Sequence, residues 1–188
     1  MTVGAEIGAR LRQARKTKRL SLKEVAERAG CSESLLSKIE RNRTTPSLRM
    51  LHRISEVLDT SIGRIFGDPK QAEFGVYRDG ERPVVTIRDD GGAEVIRLER
   101  LVTYSDDQMI DGNIHVIEPG ASNGGEIRHF GQEVGVVIEG QLELTLAGET
   151  FHLSAGDSFF LKSDIPHSYR NPGTERARVV WINTPPTF

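Results

Sequence analysis

The stretch from Leu20 to Ser47, LSLKEVAERAGCSESLLSKIERNRTTPS, constrains the fold of this chain more than any other. Ser21 is placed to cap a helix, and Glu24 three residues on completes a capping box. Val25, Ala26 and Ala29 then make an apolar stripe at helical spacing. Gly30 ends that helix, because glycine enters a left-handed turn without steric cost. Ser32 is placed to cap a second helix, in which Leu35, Leu36 and Ile39 point inward. The outer side of the second helix carries Ser32, Glu33, Ser34, Ser37, Lys38 and Arg41. That face is polar, mostly small, and basic toward its C-terminal end.

Two short helices joined by a tight glycine turn match a helix-turn-helix. A helix that enters the major groove and hydrogen-bonds base edges needs such a face. The helices alone leave a plain helical hairpin with a solvated face open. The whole stretch, however, resembles the DNA-binding domain of the XRE (Cro/C1-type) repressor family. The matching residues are Leu22-Lys23-Glu24-Val25-Ala26, Ser34 to Arg41 (SLLSKIER), and Thr45-Pro46-Ser47-Leu48. The resemblance implies a five-helix, lambda-repressor-like domain whose third helix reads DNA and whose first helix lies near the phosphate backbone.

The flanks extend this reading. A first helix is expected from Val3 to Lys18, with Ile7, Leu11 and Ala14 inward and Arg10, Arg12, Arg15, Lys16 and Lys18 outward. Asn42-Arg43-Thr44-Thr45 is a loop of donors suited to phosphate oxygens. Thr45 is expected to cap a fourth helix with Pro46 at its first position, and Leu48, Leu51, Ile54 and Leu58 follow at helical spacing. Ser61 opens a fifth, with Ile62, Ile65 and Phe66. His52, in the fourth helix, is expected to be structural. The candidate DNA-binding set is Arg15, Lys16, Lys23, Ser32, Glu33, Ser34, Ser37, Lys38, Arg41, Asn42, Arg43 and Thr44.

Charge divides the chain at the same place. Residues 1–67 hold 14 Lys and Arg against 7 Asp and Glu, whereas residues 68–188 hold 11 against 20. A basic head on an acidic body implies that only the head meets a polyanion. The single Cys31 excludes an internal disulfide and suits a reducing cytosol. The charged N-terminus does not read as a signal peptide, and no apolar run approaches membrane-spanning length. A cytoplasmic protein is expected.

Glycine shifts too: 14 of 19 follow residue 67. Residues 68–83 read as a linker or edge strand. Residues 84–188 read as short strands separated by turns at near-even spacing. Strands are expected at Val84–Ile87, Glu94–Leu101, Met109–Ile117, Val134–Ile138, Gln141–Leu146, Thr150–Leu153, Ser158–Leu161 and Arg178–Ile182. Asp89 to Gly92 is a turn and Trp181 packs against the barrel. Such a rhythm suggests a sandwich or barrel.

Here a second resemblance is specific. Pro119-Gly120, His129-x3-Glu133 and Gly140 resemble the first motif of the cupin family, and Gly156-Asp157, Pro166-His167 and Asn171 the second. A jelly-roll cupin barrel is implied. In metal-binding cupins the two motifs supply three histidines and a glutamate. The first of these positions is Ile127 here, leaving His129, Glu133 and His167. Three such ligands suit a two-His, one-carboxylate site with open positions, for one divalent ion such as zinc, iron, nickel or manganese. His115, on the preceding strand, is a candidate replacement ligand. On the other reading the metal site has decayed and these residues hold an organic effector. The candidate pocket is Tyr104, Met109, His115, Ile127, His129, Glu133, Phe160 and His167. Arg128 should face away from it, and His152 should lie on the surface.

XRE heads joined to small cupin barrels resemble bacterial one-component transcription factors. The resemblance implies a cytoplasmic regulator, most often a repressor, that binds a pseudo-palindromic double-stranded operator as a homodimer or higher oligomer. It also implies a small effector such as an amine, amino acid or peptide. Two rival classes stay open on sequence: a metal-dependent cupin dioxygenase or isomerase with a DNA-binding head, and an antitoxin-like accessory with a structural barrel.

Overall fold

Residues 7–61, 65, 75–88, 93–103, 105 and 107–186 are described in the computed structural model. Four helices open the chain: α1 Ile7–Thr17, α2 Leu22–Ala29, α3 Glu33–Glu40 and α4 Leu48–Val57. Local chemistry sets their ends. The Ser21 side chain accepts the Glu24 amide at 3.1 Å, and the Glu24 carboxylate accepts the Ser21 amide at 2.7 Å. Gly30 closes α2 at φ 63, in the left-handed region. Ser32 caps α3 through the Leu35 amide.

Helix α4 departs from expectation. Its N-cap is Ser47, which accepts the Met50 amide at 3.2 Å, so Pro46 precedes the cap instead of filling the first helical position. Serine is the stronger N-cap, and it displaces Thr45. Most of the expected fifth helix lies outside the described residues. Ile65 within it is helical and buried, with its amide bonded to the Ser61 carbonyl at 3.1 Å. The expected start at Val3, the turn at Asp89–Gly92, residues 68–74 of the expected linker and Tyr104 also lie outside. Leu11, Val25, Ala29, Leu36, Ile39, Leu51 and Ile54 form the core of the head, all fully buried. Gly8 lets α1 lie against the end of α3, where a Cβ would collide with the Ile39 carbonyl.

The strands are β1 Val84–Arg88, β2 Glu94–Arg100, β3 Asp111–Ile117, β4 Gln132–Glu139, β5 Gln141–Leu146, β6 Glu149–Ser154, β7 Ser158–Lys162, β8 His167–Arg170 and β9 Ala177–Thr184. They form a six-stranded sheet, β1-β2-β3-β9-β4-β7, and a three-stranded one, β6-β5-β8. Bridges at Ser122–Arg170 and Ile127–His167 extend the smaller sheet. The fold is an all-α head followed by an all-β jelly-roll barrel.

Strand parity decides what the barrel holds. In β4, Glu133, Gly135 and Val137 face inward, while Val134, Val136 and Ile138 face out. Trp181 lies inside the barrel and packs on Phe159, Tyr169 and His115, with ring centroids 4.6, 5.0 and 5.0 Å away. These rings fill the floor. Strand β8 has no counterpart among the sequence expectations, because four residues are too few to show a period. β3 begins at Asp111, which leaves Met109 and Ile110 outside it.

Candidate DNA-binding face and buried His–Glu–His site

On α3, Glu33, Ser34, Lys38 and the adjoining Arg41 are exposed, and Ser37 is half-buried. Arg41 folds back along the helix. Its Nε donates to the Ser37 carbonyl at 3.0 Å and its Nη2 to Ser37 Oγ at 2.6 Å. Lys16 and Arg43 are exposed, Thr44 is half-buried, and Lys23 stands 3.9 Å from Glu27 along α2. The Ser32 hydroxyl is committed as an acceptor to the cap. Asn42 adopts φ 54, and its Oδ1 accepts the Gly8 amide at 2.8 Å.

Arg15 leaves the candidate DNA face. Its guanidinium grips the buried Glu40 carboxylate bidentately, at 2.6 and 2.9 Å, and also donates to the Leu20 carbonyl at 2.8 Å. Its side chain is only 12 % exposed. A fork-to-fork pair of this kind ties α1 to α3, and the three bonds hold the guanidinium against Glu40 and Leu20, away from a phosphate.

The barrel brings three candidate ligands together. The ligand atoms of His129, Glu133 and His167 all lie within 4.8 Å of one another. Glu133 Oε1 is 2.6 Å from His129 Nε2 and 3.4 Å from His167 Nε2. His129 Nδ1 lies 3.1 Å from the Phe130 carbonyl, and His167 Nδ1 2.8 Å from that of Ile165. A carbonyl only accepts, so each Nδ1 carries a proton and each Nε2 faces Glu133. Two imidazole nitrogens and a carboxylate oxygen converge on one point, where only protons on the nitrogens or a bound cation reconcile them. This N, N, O donor set fits a divalent ion. Trp181 Nε1 donates to the other Glu133 oxygen and fixes the carboxylate from behind. Burial pushes the Glu133 carboxyl up, but its bonds to His129 and His167 outweigh that and hold it well below the usual carboxylate range.

Other expected pocket residues fall elsewhere. His115 points inward, yet it is no replacement ligand: its Nδ1 meets the Tyr169 hydroxyl at 3.0 Å and its ring stacks on Trp181. Burial lowers its pKa to about 4. Met109 is 78 % exposed, because it precedes β3. Phe160 is 61 % exposed, because the parity of β7 sends Phe159 inward in its place. Ile127 is buried and pairs through its backbone with His167. Arg128 and His152 are exposed.

One residue that the sequence reading set aside belongs here. His52 of α4 is buried and stacks on His129, with ring centroids 4.7 Å apart and planes at 24°. Burial, and secondarily the neighbouring His129, lowers its pKa to about 4. The only signal in the sequence is its place one residue after Leu51, off the stripe that faces the core of the head.

A head that presents such a face, on a barrel with these convergent ligands, defines a DNA-binding transcriptional regulator. The helix-turn-helix family model matches residues 11–65 and the cupin domain model matches residues 113–183. The HTH-type transcriptional regulator SutR of Escherichia coli is 30 % identical over 88 % of this chain and 86 % of its own. PuuR, another HTH-type transcriptional regulator of Escherichia coli, is 29 % identical over 98 % of both chains. The crystal structure of an HTH_3 family transcriptional regulator from Vibrio cholerae superposes with a TM-score of 0.71 at 22 % identity, over 97 % of this chain and 96 % of that one. The chain belongs to the HTH-type transcriptional regulators that join an XRE-type helix-turn-helix head to a cupin domain.

Proposed function

We propose that the protein is a homodimeric, cytoplasmic repressor whose operator affinity depends on occupancy of the His129–Glu133–His167 site. The observation that carries this reading is the convergence of two imidazole nitrogens and a carboxylate oxygen on one buried point of a DNA-binding chain. Residues 1–67 read DNA, 68–83 connect, and 84–188 sense and dimerise. Glu33, Ser34 and Ser37 choose bases, with Glu33 accepting from a cytosine amino group. Lys16, Lys23, Lys38, Arg41, Arg43 and Thr44 face phosphates, joined by the Asn42 amide and the Ser32 hydroxyl hydrogen. Two heads in a dimer meet half-sites one helical turn apart on a pseudo-palindromic duplex.

Two ligand classes fit these three convergent atoms once the nitrogens are free of protons. A divalent zinc, iron, nickel or manganese ion accepts all three as ligands and leaves positions open for a further molecule. A protonated amine, alone or as part of an amino acid or peptide, donates three N–H bonds to the same atoms. The aromatic floor favours the smaller occupant, the ion. Either acts only through a difference in affinity between the DNA-binding arrangement and the other one.

The test is operator binding by fluorescence anisotropy on a selected duplex, with divalent ions and then with amines, amino acids and peptides. The expected result is a shift of at least tenfold in operator Kd that is absent from His129→Ala/His167→Ala. An operator affinity indifferent to all of these ligands would overturn the sensing role.

A further inference from the structure

We propose that the His–Glu–His site is an interdomain site. The head closes it with His52, so that binding of a divalent ion by His129, Glu133 and His167 and docking of the head on the barrel are one coupled equilibrium. The inference rests on the reading that the triad takes a cation.

Three observations carry it. First, the His52 ring lies face to face on the ring of a candidate ligand, with centroids 4.7 Å apart. His52 therefore covers one face of a ring whose Nε2 already points at the site. Second, α4 is pinned to the barrel loop beside the triad. The Arg49 amide, one of the donors that a helix N-terminus leaves unsatisfied, donates to the Asn123 carbonyl at 3.1 Å. Third, the barrel loop is shaped for that approach. A Cβ on Gly124 would meet Ser47 Cβ at 2.9 Å, and one on Gly125 would meet Arg49 Nη1 at 2.9 Å.

The sequence supplies a reason for the arrangement. Ile127 leaves the barrel one imidazole short, and the head brings an imidazole of its own to the same site. Residues 41–47 join α4 directly to the DNA-facing α3. A change at the triad therefore reaches the recognition helix through α4, without passing along the linker. Linkage makes the coupling reciprocal: what strengthens ion binding strengthens docking, and the reverse.

The experiment uses the full chain and Zn(II) as the probe. Isothermal titration compares wild type, His129→Ala, His52→Ala and His52→Gln, while amide hydrogen exchange follows the segment 47–52 with and without the ion. Zn(II) should bind wild type and fail on His129→Ala. Its affinity should fall at least tenfold in both His52 variants. It should also slow exchange of the Arg49 amide in wild type, a readout that needs no variant. Both effects are required, and the absence of either overturns the coupling. Binding that depends on His129 but not on His52, with α4 exchange unchanged, would leave the triad as a cation site and sink the interdomain inference alone. No binding to wild type would sink both.

Discussion

Arg15 and Lys38 carry the same charge on helices that pack against each other, yet their roles divide. Arg15 is held by Glu40, whose carboxylate is buried. Replacing Arg15 by Ala would strand that charge, at a cost of about 3 kcal/mol. Urea denaturation should register that loss. Lys38→Ala should leave stability within about 0.5 kcal/mol, as surface changes do. Lys38→Ala should instead weaken DNA binding and reduce the salt slope by about one, because one phosphate contact is lost. Arg43→Ala should behave alike, and unchanged affinity in both would remove the assigned DNA face. Asp111 makes a prediction about pH. It is buried beside Arg100 at 3.5 Å, and burial raises its carboxyl to about 6. The folded chain therefore holds a proton between pH 4 and 6 that the unfolded chain has released. That group removes stability as pH rises through this window, by about 3 kcal/mol. His115, lowered by burial, acts in the opposite sense. The clean readout is a difference: relative to wild type, Asp111→Asn should gain stability between pH 4 and 7. A flat difference curve would refute the assignment.

At the scale of elements, the caps of α2 were legible, whereas the cap of α4 and the short strand were not. Ser21, Glu24 and Gly30 act within a few residues of one another, so the residue types alone place the ends of α2. Gly30→Ala would force an alanine into φ 63, costing about 1–2 kcal/mol, which a thermal melt should detect. Strand β8 shows the other case. His167 was legible as a ligand candidate from Pro166-His167, but its strand was invisible because its order comes from pairing with β5. Parity explains Met109 and Phe160 as well. A strand displaced by one residue turns every side chain to the opposite face, so the choice between Phe159 and Phe160 required the register of β7 against β4.

For the whole molecule, the outer face of β4 and β7 bears on the proposed dimer. Val134, Val136, Ile138 and Phe160 are 38–61 % exposed there, an apolar patch on a surface otherwise rich in charge. The homodimer proposed above would bury this face. Val134→Asp/Phe160→Asp should give a monomer by analytical ultracentrifugation. Its operator affinity should fall at least tenfold, since one head then binds one half-site. A dimer surviving both charges would move the interface elsewhere.

The sequence by itself determined the two domains, both ends of α2, the start of α3, and the identity of His129, Glu133 and His167 as candidate ligands. Each of those signals is local: a cap within four residues, a period along one strand, a motif of fixed spacing. Only the tertiary structure decided that Glu40, 25 residues from Arg15, takes its charge, that Trp181 fixes Glu133, and that His52 lies on His129. Those outcomes depend on atoms distant in the chain and close in space. These long-range contacts are properties of the packed molecule, and no local pattern along the chain shows them.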